Sequence, residues 1–176
     1  AHKNLGLLSL LMGDFQNGWK EYEWRWQCDD FAAERHRFPQ PFWDGSSLNQ
    51  KTILVWTEQG VGDEIMFSSM LPTLLKIDVR VIVECTRRLI PLFQRAFPGV
   101  RFIPRENPVN RQLLDMAIDC QIPMLSLGKW LRPSVESFPL DQESYLFSCV
   151  EKTKRLRQKY QLLAGGRLLV GISWKS

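Results

Sequence analysis

The sequence predicts an α/β fold: a Rossmann-like parallel sheet preceded by a helical hairpin. Three observations predict it. Short apolar runs at 52–56, 79–85 and 100–104 alternate with stretches of helical character, and continuously apolar strands are those buried on both faces of a parallel sheet. Residues 2–26 carry apolar side chains at helical spacing, interrupted at Gly13-Asp14. A loop with two glycines directly follows the first apolar run, where a crossover helix begins in such sheets.

The elements follow in order. Leu5, Leu8, Leu11 and Met12 form one helical stripe, and Phe15, Trp19, Tyr22 and Trp26 form a second. Residues 33–50 read as a linker, rich after Phe38 in Pro, Gly, Ser and Asn, with Phe42 and Trp43 expected to pin it to a domain surface. TILVW (52–56) is a strand, and 62–76 a helix that Pro72 should kink or split. VRVIVEC (79–85) is a second strand, 86–97 a helix, and VRFIP (100–104) a third strand. MAIDCQI (116–122) reads as a fourth strand, with a short helix near 125–130. Residues 148–163 form a basic helix, and RLLVGISW (167–174) a last strand. The division expected is 1–32 hairpin, 33–50 linker, 51–164 sheet domain, and 165–176 the first strand of a truncated second domain. The missing initial methionine and the uncovered last strand suggest that both ends are cut.

Composition narrows the function classes. With 44% hydrophobic and 24% charged residues, 176 residues can bury a core. The net charge of +4 resides in the decapeptide EKTKRLRQKY, so it describes one solvated helix face rather than a nucleic-acid surface. No apolar run is long enough for a membrane span, and the amphipathic start does not resemble a signal peptide. Cys28, Cys85, Cys120 and Cys149 form no CxxC, and His2 and His36 stand apart. Neither zinc nor a disulfide scaffold is expected, and reduced thiols in a cytoplasmic protein are.

The strongest local signal is Glu58-Gln59-Gly60-Val61-Gly62-Asp63-Glu64. In open α/β sheets ligands bind beyond the carboxyl ends of the strands, and glycines there allow a tight turn and close approach of backbone to an anion. The same residues also serve a purely structural role, with Asp63 capping the helix. Gly60-x-Gly62, with Glu84 about 20 residues on, begins a dinucleotide fingerprint; the third glycine position holds Ile65. A methyltransferase motif reads Glu58-x-Gly60-x-Gly62 with Glu64 in place of its last glycine. Elsewhere, Trp24 and Trp26 are expected to pack the hairpin on the sheet domain, Met66 and Met70 to lie in the core, and Arg87 and Arg88 to be solvated.

Two resemblances add to this reading. Leu5-Gly6, Gly13 at the turn and Gly18-x3-Tyr22 resemble the tetratricopeptide repeat (TPR), with Ser9 and Asp30 departing from its pattern. TILVWTEQGVGDEIMFSSMLPTLL resembles the opening of heptosyltransferase-like glycosyltransferase domains. VIVECTRRLIPLFQRAFPGVRFIP, DCQIPMLSLGKW and LLVGISWKS are similar to later segments of that family, in the same order.

The resemblance implies the N-terminal half of a GT-B type fold, binding the acceptor while a second domain binds a nucleotide-sugar, with no metal and no cofactor beyond that co-substrate. It implies Asp63 as catalytic base, Glu58, Gln59, Gly60 and Gly62 as substrate-binding residues, and Ser173, Lys175 and Ser176 on the donor side. It further implies a protein partner or acceptor for the repeats, and inactivity for this chain by itself. An S-adenosylmethionine- or NAD-binding enzyme and a non-catalytic TPR scaffold stand as alternatives.

Overall fold

A computed structural model describes residues 1–28, 38–140 and 144–172 of the 176. Two antiparallel helices come first, α1 (His2–Leu11) and α2 (Phe15–Tyr22), the latter running into a 3-10 turn over Glu23–Gln27. Gly13 makes the turn with φ +82°, a conformation that costs a residue without Cβ little. Asp14 then caps α2, accepting the Asn17 N–H. The helices approach closely because Gly6 and Gly18 lie at their contact: a Cβ on Gly6 would stand 2.5 Å from the Tyr22 nitrogen, and one on Gly18 2.8 Å from Leu10.

Beyond the hairpin lies a sheet of β1 (Thr52–Trp56), β2 (Arg80–Cys85), β3 (Arg101–Pro104) and β4 (Cys120–Pro123), all parallel, in the order β3-β2-β1-β4. The expected Rossmann-like α/β fold is therefore present. Alternate strand residues feed two apolar layers. Ile53, Val55, Val81 and Val83 join the larger one with Leu71, Phe93 and Leu127. Leu54, Trp56, Ile82 and Ile103 join the smaller one with Trp26 and Phe38.

The helix expected over 62–76 is split. Helix α3 (Val61–Phe67) passes through a 3-10 turn at Ser68–Met70 into α4 (Leu71–Leu74), which has Pro72 in its first turn. A proline ring clashes with the carbonyl four residues earlier, here Ser68, where the α-helix stops. Further short helices are α5 (Ile90–Ala96), α6 (Arg111–Asp115) and α7 (Gly128–Leu131). The fourth strand begins at Cys120 rather than 116, because α6 occupies 111–115 and pairing with β1 starts opposite Ile53. Helix α8 (Val150–Ala164) is the basic helix and exposes nearly its whole length. The last strand, expected as the first of a second domain, is not formed over 167–172: these residues are exposed and join no ladder. Among the described residues no helix is long and apolar enough to cross a membrane.

Candidate functional site

Reversal of strand order places the topological switch point between β1 and β4, the usual ligand crevice of open α/β sheets. Here it is filled from within. Arg25, with no exposed surface, reaches from the end of the hairpin to Glu58, just past β1. Its Nε and Nη2 donate to the two Glu58 carboxylate oxygens, each at 2.9 Å. Nη2 also donates to Ser126 Oγ at 2.7 Å, after β4, and Nη1 to Glu23 Oε1 at 2.6 Å. The guanidinium lies 4.4 Å from the Trp26 ring centre and 4.7 Å from that of Tyr22.

Burial raises the Glu58 carboxyl above its ordinary value, with Arg25 opposing. Burial disfavours the Arg25 charge too, but the hydrogen bonds and charge of Glu58 outweigh it and Arg25 holds its proton more firmly. Removing Arg25 would leave Glu58 buried without its ion-pair partner, a loss of about 3–5 kcal/mol.

The next residue is held in the same way. Gln59 Nε2 donates to Tyr22 Oη at 2.7 Å, and burial raises the Tyr22 phenol. Glu58 and Gln59, expected among the substrate-binding residues, are thus both turned to the hairpin. Gly60 precedes α3, and its N–H donates to Asp63 Oδ2 at 3.1 Å. A Cβ on Gly62 would meet nothing within 4 Å, so the space beside the start of α3 is open. Asp63 is half-exposed.

Other carboxylates near this edge are sequestered. Glu64 is buried and accepts the N–H of Thr86 at 2.9 Å and its hydroxyl at 2.6 Å, tying α3 to the end of β2. Nothing in the local sequence marks that link, since Thr86 is 22 residues away. Glu84, the acid on which the dinucleotide and methyltransferase readings rely, has no exposed surface. Arg105, after β3, donates to the Thr57 carbonyl at 2.7 Å. Thr57 Oγ1 is buried just past β1 with no hydrogen-bond partner among the described residues.

Among the weaker candidates, Trp26 packs on Trp56 as expected, with ring centres 5.6 Å apart. Trp24 instead lies largely exposed and stacks on His2. Met70 is core, but Met66 is exposed. Arg87 is solvated and pairs with Glu106. His36 and the donor-side Ser173, Lys175 and Ser176 lie outside the described residues. Among the described residues no group of His, Cys, Asp and Glu is placed to hold a metal ion.

No family model matches the chain, and no solved structure matches it. Protein FlbA of Caulobacter vibrioides is 32% identical over 179 residues, an alignment covering 95% of this chain and 30% of FlbA. The chain thus spans less than a third of the length of that relative.

Proposed function

We propose that this chain is the acceptor-side domain of a nucleotide-sugar-dependent glycosyltransferase, with Asp63 as catalytic base. One observation carries the reading: of Glu58, Asp63, Glu64 and Glu84, the acids of the β1 loop and the end of β2, only Asp63 is not buried. One of its oxygens is fixed by the Gly60 N–H, which sets the carboxylate beside the open backbone at Gly62. In the proposed step Asp63 takes the proton of an acceptor hydroxyl. The oxygen bonds to the anomeric carbon, the bond from that carbon to the nucleoside diphosphate breaks, and the configuration inverts. Ser173, Lys175 and Ser176 belong to the donor side of this proposal, with Lys175 meeting the diphosphate charge. The four free thiols suit a cytoplasmic setting, and the exposed leucines of α1 suit a TPR-type partner.

Positioned general bases contribute typically 10²–10⁴-fold. In a protein carrying this chain with its donor-side domain, Asp63→Asn should therefore lower sugar transfer at least about 100-fold while leaving the circular dichroism spectrum unchanged. Unaltered turnover in that variant removes Asp63 from the role.

A further inference from the structure

A second cavity, of about 390 Å³, opens beyond the carboxyl end of β4. It contains none of the residues 58–64, and four separate parts of the chain build it: the end of the hairpin, the linker tip, the end of β4 with the turn after it, and α7. Its size lies within the range of small-molecule sites, which combine aromatic walls with a few fixed polar groups.

The walls are aromatic and held in place before any ligand arrives. Gln121, itself buried, donates from Nε2 to the carbonyls of Phe38 (2.9 Å) and Gln40 (2.7 Å) and accepts the Trp56 indole N–H at 2.9 Å. The linker is fastened to β4 again by the Trp43 N–H on the Gln121 carbonyl and the Gln121 N–H on that of Pro41. Trp43 is then fixed by its indole N–H on the Ser46 carbonyl at 2.8 Å. Its ring lies 5.9 Å from that of Trp130, tilted by 50°. Gly45 has φ +90°, and a Cβ there would fall 2.5 Å from the Trp130 ring, so the turn and the indole approach as only glycine permits.

The polar groups are two carboxylates, the Ser126 hydroxyl and the Lys129 ammonium. Glu23 has Oε1 engaged by Arg25 and Ser126, which holds the carboxylate at the cavity wall. Asp44, exposed at the rim, keeps one oxygen on the Ser46 N–H at 2.9 Å. The face of Trp130 is already taken by a cation, the Lys129 ammonium lying 4.7 Å from the centre of its ring. The remaining chemistry is aromatic faces for C–H groups and carboxylates for hydroxyl protons. We propose that this cavity binds the ring of a neutral pyranose saccharide, with Trp43 and Phe42 against the ring and Glu23 and Asp44 accepting its hydroxyls. The inference does not require Asp63 to be a base, and its test measures binding rather than transfer.

Saturation-transfer NMR on the 176-residue chain would use methyl glucopyranoside, methyl galactopyranoside, methyl mannopyranoside and N-acetylglucosamine, with tetramethylammonium as the cationic probe. At least one saccharide should bind with a dissociation constant below about 10 mM, and tetramethylammonium should not compete. Trp43→Ala and the milder Phe42→Ala, at a more exposed ring, should each weaken binding about tenfold with unchanged thermal unfolding for Phe42→Ala. The proposal is overturned if no saccharide of the set binds, if tetramethylammonium binds in its place, or if Phe42→Ala and Glu23→Gln both leave saccharide binding unchanged.

Discussion

Cys85 closes β2 with no exposed surface, and burial, aided by the Glu64 and Glu84 carboxylates, pushes its thiol up to about 12. Burial likewise pushes Cys120 up to about 11. The thiolate is the reactive form, so iodoacetamide at about pH 8 should label only Cys28 and Cys149, which are partly exposed. All four should label once the chain is unfolded, as peptide mass mapping will read. The sign of the pH effect follows. The unfolded thiols ionise near 9 and the folded ones only at about 11 and 12. This contribution to stability is therefore full below pH 9 and is lost as pH rises toward the folded values. Urea midpoints across that window should fall, and Cys85→Ala should flatten the slope. At this scale the sequence shows which residue types are present but not their partners. Asp63 and the glycines of its loop stand out because they are contiguous. Arg25 does not, because Glu58 is 33 residues away and Ser126 101 residues away.

Helices α1 and α2 pack backbone to backbone, which sets the cost of adding even one methyl group. Alanine at Gly6 gains about 1 kcal/mol of helix propensity. It also drives a Cβ to 2.5 Å from main-chain atoms of Tyr22, and overpacking of that kind costs about 1–3 kcal/mol. Backbone cannot swing aside as a side chain can, so Gly6→Ala should be destabilising by up to about 2 kcal/mol in urea unfolding; a gain in stability contradicts the packing. The hairpin, its turn at Gly13 and strands β1 to β3 are legible because each is written in one continuous stretch. The fourth strand is less so: Met116 and Ile118 mimic strand alternation, yet they pack against the smaller apolar layer from the loop before β4. The run at 167–172 has strand composition but joins no ladder, and composition alone forms none.

Hairpin and sheet form one folding body. Trp19 lies against Gly128, where a Cβ would come within 2.4 Å of its ring, and its indole N–H donates to the Arg132 carbonyl at 2.7 Å. Together with Arg25 and Trp26, this joint is a core rather than a linker. Calorimetry should show a single transition with equal calorimetric and van't Hoff enthalpies; two resolved transitions contradict a shared core. None of this is readable from separate segments, because the residues meeting at the joint lie from 33 to 113 positions apart along the chain. The fastening of the linker by Gln121 has a further effect on how the molecule meets its own copies. A parallel sheet exposes two rows of unpaired amides and carbonyls, each a template for another chain to add a strand. On the β4 side the linker occupies that row through Pro41 and Trp43. On the β3 side the row is four residues long, opens on the exposed Arg101 and ends at Pro104, which has no N–H to offer. The β4 border of the sheet is thereby closed to strand addition, and the β3 border offers a partner only a short row whose last residue cannot donate.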